Sequence, residues 1–349
     1  MGKMETCKKP HYHSRFLFIF LILLLISISW IFSAGWFWKK PAFVDATEIL
    51  MNTTFAVKVY AKDRKTAEHL VEEVFAEARR IEQVMEPIKG NGELESINSR
   101  TRDGWYVLSS DLSAVLRRSS FYYDCTGGAF DPTIGSVKWL WDFENGGHVP
   151  PENELKEKLE SVGLSHVELR SDSLRFTHPQ TRLDLGGVAK GYAVDRMIAI
   201  LKAGGSTAGL VNAGGDIAMF GKKPGGKDWV IALRHPRMQQ KIVKLDGISY
   251  SAVATSGDYE RFFMKDGIRY HHILDPVTGY PARGCMSVTT WATSVMDADI
   301  LSTAIFVMGP KRGLALAESL DNVETLIFYE EDGRIKTAMS SGIKGRVKL

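Results

Sequence analysis

The alternation of apolar and polar residues after residue 50 predicts the first elements of a folded domain. From Thr53 to Tyr60 the apolar residues occupy alternate positions, which is typical of a half-buried strand. From Thr66 to Met85 they recur at helical spacing, which predicts an amphipathic helix. Residues 88–104 are polar and glycine-bearing, which indicates a loop before Trp105–Leu108. A helix is then expected from Asp111 to Asp124, with Asp111 as its cap.

The second half of the chain is predicted to consist mostly of strands. They are expected at 207–212, 216–220, 228–234, 241–246, 248–254, 261–264, 268–274 and 286–293. Helices are predicted at 152–162, 188–203, 295–308 and 311–320, and a short hairpin at 166–176. Successive strands with few helices between them predict an α+β fold with largely antiparallel sheets and flanking helices. No Gly-x-Gly-x-x-Gly turn opens a helix, so a doubly wound nucleotide-binding fold has little support.

An uncharged apolar segment, residues 16–38, is long enough to cross a bilayer as one helix. Basic residues precede it and tryptophans lie at its far end, as in membrane anchors: Lys3, Lys8, Lys9 and Arg15, then Trp30, Trp36 and Trp38. This pattern predicts a cytoplasmic N-terminus (1–15), a transmembrane signal anchor (16–38) and an exported domain (41–349). A signal peptide cleaved at Ser33–Gly35 is the alternative.

Composition narrows the class of protein. The chain has 349 residues, of which 44% are hydrophobic and 24% charged, as in ordinary globular proteins. Its net charge is +3 and no basic patch carries interleaved aromatic residues, so a nucleic-acid partner is not expected. The three cysteines predict no disulfide framework. Cys125 and Cys285 could pair in an exported domain, but two small buried residues are the favoured interpretation.

The segment Asp184–Asp195 carries a carboxylate, two adjacent glycines and Lys190 where a helix is predicted to begin. Glycines let the backbone approach a ligand, and the free N–H groups of a helix N-terminus attract anions. The segment therefore suits a phosphate-bearing ligand. A tight loop-to-helix turn without a ligand is the alternative.

Other segments place small and polar residues at predicted strand ends or turns. They are Gly127–Gly135, Asn212–Asp216, Thr255–Arg261, His271–Pro281 and Asp297–Thr303. In this order and spacing they resemble the ApbE family, flavin transferases that move FMN from FAD onto a protein threonine or serine. The resemblance runs from about Met51 to the C-terminus, and the joint match is far more specific than any one motif.

The resemblance implies which residues contact FAD as the substrate. Asp184 would contact the flavin nucleotide, with Lys190 beside it near phosphate or adenylate oxygens. Phe130 could stack on a ring, and Asp131 could accept a hydrogen bond from an exocyclic amine. The implied set is Met51, Ala129, Phe130, Asp131, Asp184, Lys190, Asn212, Gly214, Gly215, Asp216, Ser256, Gly257 and Ile273.

Asp299 and Thr303 are four residues apart, so they share one face of a predicted helix. Carboxylate and hydroxyl oxygens are hard ligands that suit Mg²⁺. The pair matches the ApbE metal motif, and the resemblance implies that Ser302 and the backbone carbonyl of Gly187 complete the site. In the alternative, Asp297 caps this helix and Asp299 only favours its positive end.

His272 is the predicted group for proton transfer, because imidazole titrates near neutral pH. The family's His-Ile-x-Asp-Pro motif, which lies at the cofactor, matches at this position. Asp258, in a Ser-Gly-Asp turn, is the competing base.

The chain departs from the family at Met85–Ile88, where the family commonly has Met-Ser-x-Tyr. The aromatic contact to the flavin expected at Ile88 is therefore missing.

Together these features predict an FAD:protein FMN transferase that depends on Mg²⁺ and releases AMP. The expected partner is an acceptor protein with a short Ser/Thr flavinylation motif, such as a membrane-bound or exported redox subunit. The predicted location is a bacterial inner membrane, crossed once, with the domain on the extracytoplasmic side. Two alternatives stay open: an FAD pyrophosphatase that yields FMN and AMP, and a non-catalytic exported flavin-binding or electron-transfer protein.

Overall fold

The computed structural model describes residues 2, 20–25, 40–87, 92–99, 104–238, 242–245 and 251–348. Its contacts divide the chain into two units, residues 1–41 and 42–349. In the first unit, residues 20–25 are helical and their apolar side chains are exposed. The rest of the predicted transmembrane segment lies outside the described residues, so that prediction stays a prediction.

An eight-stranded antiparallel sheet forms the centre of the second unit. Its strands, in spatial order, are β1 (Ala42–Leu50), β2 (Thr53–Ala61), β6 (Ala208–Ala213), β7 (Asp216–Phe220), β10 (Ala252–Gly257), β13 (Ser287–Ala292), β14 (Glu324–Glu331) and β15 (Arg334–Met339). Each neighbouring pair is antiparallel. The predicted α+β fold with antiparallel pairing is thus confirmed.

Among the described residues, three smaller sheets accompany the central one. They contain β3 (Tyr106–Val107), β5 (Ser173–Phe176) and β4 (Val167–Leu169); β16 (Val347–Lys348), β9 (Ile242–Leu245) and β8 (Ala232–Arg234); and the hairpin of β11 (Phe262–Lys265) and β12 (Ile268–His271). The predicted hairpin at 166–176 is confirmed by the pairing of β4 with β5. The β11–β12 hairpin pairs with no other strand among the described residues.

The helices of the second unit are α1 (Arg64–Met85), α2 (Glu93–Ser99), α3 (Ser110–Thr126), α4 (Gly135–Lys138), α5 (Glu152–Leu159), α6 (Ala189–Ala203) and α7 (Val295–Ser319). Short 3₁₀ turns occur at 139–141, 143–145, 164–166 and 341–343. α1 begins where the Asp63 side chain accepts a hydrogen bond from the Thr66 backbone N–H at 2.8 Å. Its buried residues follow the predicted helical spacing.

Several predicted boundaries are wrong. Residues 88–104 contain α2 rather than only a loop. Ser109, not Asp111, caps α3, because its hydroxyl accepts a hydrogen bond from the Leu112 N–H. In contrast, the separation predicted between helices 295–308 and 311–320 is confirmed, because α7 is interrupted at Gly309, whose φ of 79° and ψ of 172° are not helical.

α7 is a core helix. Among the described residues it is the one helix long and apolar enough to cross a membrane, but half of its apolar window is buried in the domain. Ser294 caps it by accepting a hydrogen bond from the Asp297 N–H at 3.1 Å. Asp297 therefore does not cap the helix, and its carboxylate instead binds the Arg118 guanidinium at 2.5 Å and 2.9 Å.

α6 and α7 pack closely where the candidate site begins. A Cβ atom at Gly191 would lie 2.5 Å from the Val295 carbonyl oxygen, so only glycine permits this approach. The Asp195 carboxylate accepts hydrogen bonds from the N–H groups of Val295 and Met296, both at 2.9 Å. Burial raises the pKa of Asp195 to about 6. These contacts place the first turn of α6 against the first turns of α7.

In the part of the domain that the structure describes, three clusters of buried side chains form the core. The largest packs α1, α6 and α7 on the central sheet. The second includes Val253, Trp291 and Leu326. The third consists of Val137, Trp141, Leu155 and Leu274, with Phe263 and Tyr270 packed against it, and so fixes the β11–β12 hairpin.

Cys285 is buried and Cys125 is exposed, and both are free thiols. The predicted burial is thus wrong for Cys125.

Candidate active site

A cavity of about 540 Å³ lies where the loops after several strands meet the starts of α6 and α7. Its volume falls in the range of small-molecule sites, about 300–1,000 Å³. Most of the predicted site residues line it: Met51, Ala129, Phe130, Asp131, Asp184, Gly187, Lys190, Gly214, Ser256, Gly257, His272, Ile273, Asp299 and Thr303. Segments far apart in sequence therefore meet in one cavity.

Asp184 is held by a cation and a backbone donor. Its Oδ1 accepts hydrogen bonds from the Lys138 ammonium at 2.7 Å and from the Gly186 N–H at 2.9 Å. Burial alone would raise the pKa of Asp184, but the charge and hydrogen bond of Lys138, the Gly186 N–H and the charge of Arg261 together outweigh it and lower the pKa below its ordinary value. The loop that precedes α6 is thus fixed around an ionised carboxylate.

Lys190 joins two carboxylates. Its Nζ lies 2.6 Å from Asp216 Oδ2 and 3.3 Å from Asp299 Oδ2. Burial would lower the pKa of Lys190, but the two carboxylates outweigh it and raise the pKa. Burial and the neighbouring Asp299 raise the pKa of Asp216. Two carboxylates for one ammonium give this part of the wall a capacity for a further cation.

The predicted metal ligands converge beside this group. Ser256 Oγ lies 2.8 Å from Ser302 Oγ and 3.2 Å from Thr303 Oγ1. A Cβ atom at Gly187 would lie 3.2 Å from Thr303 Oγ1, so the Gly187 backbone adjoins the same hydroxyl. The described residues hold no group of three His, Cys, Asp or Glu side chains suited to a metal. The donors here are one carboxylate, hydroxyls and a backbone carbonyl, a hard set that fits Mg²⁺ with waters or phosphates in its remaining positions.

Phe130 and Asp131 form another part of the wall. Asp131 Oδ1 accepts hydrogen bonds from the Thr133 N–H at 2.8 Å and the Thr133 hydroxyl at 2.6 Å. Burial raises the pKa of Asp131. The Phe130 ring lies against the Gly187 backbone, since a Cβ atom there would be 3.1 Å from Phe130 Cε2. A rigid aromatic face thus adjoins the predicted metal ligands.

His272 lies on the cavity wall as a neutral imidazole. Its Nδ1 is 3.3 Å from the Arg261 carbonyl oxygen, which can only accept a hydrogen bond. Nδ1 is therefore assigned the proton, which leaves Nε2 as the proton acceptor. Burial and the positive charges of Lys138 and Arg261 hold the pKa of His272 well below 6.5. The side chain is thus unprotonated at neutral pH and can accept a proton at Nε2, but it is a weaker base than the imidazole titrating near neutral pH that the sequence predicted.

The ApbE family model matches residues 51–327. The chain belongs to the ApbE family. It is 34% identical over 322 residues to an FAD:protein FMN transferase of Treponema pallidum, with 86% of this chain and 88% of the relative covered. It is 32% identical over 304 residues to one of Vibrio cholerae, with 84% and 90% covered.

Two solved ApbE structures share this fold. The ApbE protein of Thermotoga maritima superimposes with a TM-score of 0.79 and 32% identity, covering 88% of this chain and 100% of its own. The flavin transferase ApbE of Vibrio cholerae gives a TM-score of 0.78 and 31% identity, covering 87% and 99%. The family resemblance predicted from the motifs is therefore confirmed.

Five residues assigned to the site from the ApbE motifs do not line the cavity: Asn212, Gly215, Asp216, Asp258 and Ser302. Asn212 Oδ1 accepts a hydrogen bond from the Gly215 N–H at 2.9 Å and so shapes the β6–β7 turn. Asp216 and Ser302 lie behind the wall, bonded to Lys190 and Ser256.

Asp258 differs most from its predicted role as a competing base. Its carboxylate binds Arg237 at 2.8 Å and 2.6 Å and Arg269 at 3.1 Å. Only 6% of the residue is exposed. Asp258 thus binds two guanidinium groups and lies outside the cavity, away from a substrate bound there. The geometry therefore favours His272 over Asp258.

Other residues of the ApbE cavity wall were missed from the sequence. They include Glu82, Lys138, Trp139, Asp142, Phe143, Glu144 and Arg261. Lys138 matters most, because it contacts Asp184 and lowers the pKa of His272. The cluster of aromatic residues at 139–143, directly after a family motif, was the available signal. Ile88, where the family's tyrosine is missing, lies outside the described residues.

Proposed function

We propose that this protein transfers FMN from FAD to a serine or threonine hydroxyl of an acceptor protein, with Mg²⁺ as cofactor and AMP as the second product. One observation carries the proposal: Lys190, Asp299 and a neutral His272 line the same cavity. FMN transfer needs a polar site for the pyrophosphate and a base for the acceptor hydroxyl. The relatives named FAD:protein FMN transferase support the same activity.

Asp299, Thr303 and the Gly187 carbonyl would hold the metal, with Ser302 and Ser256 orienting Thr303. Bound there, Mg²⁺ would supply positive charge for the pyrophosphate oxygens. Lys190 keeps its charge because Asp216 and Asp299 raise its pKa. It therefore offsets part of the negative charge of these two carboxylates and, like the metal, places positive charge near the substrate. Phe130 provides an aromatic surface on which a ring of FAD can stack.

His272 would act on the acceptor. Its Nε2 accepts the proton of the serine or threonine hydroxyl as that oxygen bonds to the phosphorus on the FMN side. The bond from this phosphorus to the bridging oxygen breaks, and the electron pair leaves with AMP. The proton on His272 then passes to solvent. The product carries FMN on its side chain through a phosphoester.

An incubation with FAD, Mg²⁺ and a peptide that carries a Ser/Thr flavinylation motif separates this function from its alternatives. Transfer gives a flavin-labelled peptide and AMP. An FAD pyrophosphatase gives free FMN and AMP with unlabelled peptide. A flavin-binding protein without turnover leaves FAD unchanged. The account requires the first outcome.

We also propose that residues 16–38 anchor the protein in a bacterial inner membrane, with the domain on the extracytoplasmic side and a redox subunit there as acceptor. The uncharged segment and its basic leading flank support this placement. The full-length protein is expected in the membrane pellet after a high-salt wash, and added protease should reach the domain only from outside. A soluble protein whose N-terminus begins near Gly35 would contradict the anchor.

A further inference from the structure

The β11–β12 hairpin has its base on the cavity wall. Arg261 directly precedes β11, His272 directly follows β12, and both line the cavity. The His272 N–H donates a hydrogen bond to the Arg261 carbonyl at 3.1 Å, which closes this base. The first pair of the hairpin, Phe262 with His271, therefore lies one residue from the proposed base.

The two faces of the hairpin have different environments. Directly paired residues share a face, and successive pairs alternate. Phe263 pairs with Tyr270, their rings stack at 5.3 Å, and both pack on Trp141 at centroid distances of 6.4 Å and 5.6 Å. This is the inner face. The alternation places Phe262 and Met264 on the opposite face, together with their partners His271 and Arg269. Of these four residues, His271 is buried.

The exposed part of this face consists of Phe262, Met264 and Arg269, and is called the outer hairpin face. Phe262 is 41% exposed and Met264 is 56% exposed. The Arg269 guanidinium lies 4.3 Å from the centre of the Phe262 ring and also binds Asp258, which fixes its position. Aromatic, methionine and arginine side chains are the types enriched at protein interfaces.

FAD does not explain these exposed side chains. The residues suited to its phosphates and rings line the cavity, whereas Phe262 and Met264 do not. An apolar strand pair without a third strand favours unwanted association unless a partner covers it. The proposed reaction requires one partner beside the cavity, the polypeptide that carries the modified hydroxyl.

We propose that the outer hairpin face binds the acceptor protein, in the extended segment next to its modified serine or threonine. This inference rests on the proposed transfer function and adds where the acceptor docks. An extended chain advances about 3.3 Å per residue, so a segment lying on Phe262 and Met264 reaches His272 within roughly three or four residues. An apolar acceptor side chain would pack on Phe262 and Met264 and hold the hydroxyl at the cavity edge.

The test compares Phe262→Ser/Met264→Ser with the parent protein, using a flavin-free acceptor protein that carries a Ser/Thr flavinylation motif. We expect the KM for this acceptor to rise at least tenfold, with kcat changed by less than twofold. FAD binding and the rate of any FMN release from FAD in the absence of acceptor should be unchanged. Val107→Ser is the matched control, because Val107 is 79% exposed on β3 in another sheet, and it should leave the acceptor KM unchanged.

Further measurements separate the alternatives. Phe262→Tyr/Met264→Leu keeps the apolar area and should keep the parent KM; an equal rise in KM with both double variants overturns the proposal. An unchanged acceptor KM in the serine variant also overturns the proposal. If that variant then loses self-association on a sizing column, the face binds a second copy of the chain; if it loses binding to anionic lipid vesicles, the face binds a membrane. Matching circular dichroism spectra confirm folding. If the parent releases FMN from FAD but labels no acceptor, the transfer function fails and the docking proposal falls with it.

Discussion

Replacement of Asp299 by alanine is expected to reduce FMN transfer at least 100-fold while the domain stays folded. Asp299 provides the one carboxylate among the proposed metal ligands and also contacts Lys190. Loss of one contact that stabilises charge in a transition state typically costs about 2.7–4 kcal/mol, or roughly 10²–10³ in rate. The measurement is the initial rate of labelled acceptor formed at saturating FAD, as a function of Mg²⁺ concentration.

Asp297→Asn is the matched control for this prediction. It removes a carboxylate two residues away on the same helix, which binds Arg118 instead of lining the cavity. Its transfer rate and Mg²⁺ dependence should remain close to those of the parent. If Asp299→Ala keeps full activity with the parent's Mg²⁺ requirement, the assignment of the metal site is wrong.

His272→Gln is expected to lower the transfer rate by about 10²–10⁴, the usual contribution of a positioned acid or base. FAD binding should change little, because glutamine retains the size and polarity of the side chain. Single-turnover measurements with saturating FAD and Mg²⁺ separate the two effects. His148→Gln, which changes an exposed histidine, is the control. Equal rates for both variants would exclude His272 as the base.

The pH dependence tests the same residue. An imidazole with a pKa of 6.5 would be about three-quarters protonated at pH 6 and unable to accept a proton. The pKa of His272 is held well below that value, so it remains a base as the pH falls from 8 to 6. We expect no loss of single-turnover rate from its protonation in this range. A rate that falls with a midpoint near pH 6.5, and loses this fall in His272→Gln, would contradict the assigned environment.

The local patterns predicted those elements whose burial is one-sided. α1 has a regular apolar stripe, and β2 alternates, so both were found. β14 was missed although it lies in the central sheet, and β1 was missed at the edge of that sheet. Tertiary pairing with β13 and β15, rather than a clean alternation, determines that β14 is a strand. α2 is a short helix within a polar segment, where its seven residues give little periodicity.

The candidate site was predicted from motifs, and the cavity brings most of those residues together. Geometry alone could separate Asp258 from His272, because the two arginines that bind Asp258 lie 21 and 11 residues away in sequence. The same holds for Lys138, whose partner Asp184 is 46 residues away. Neither pairing leaves a local pattern. The low pKa of His272 also depends on charges from separate segments.

Mass spectrometry of an acceptor protein after incubation with this enzyme, FAD and Mg²⁺ tests the central claim most directly. A bound acceptor hydroxyl is already oriented toward the phosphorus, whereas free water is not. In the best intramolecular cases such orientation lowers the activation free energy by up to roughly 7–11 kcal/mol. The account predicts one added FMN group on a serine or threonine, with AMP formed in equal amount. Rapid formation of FMN and AMP at the same rate with or without acceptor, with the acceptor mass unchanged, would contradict it and make the protein an FAD hydrolase.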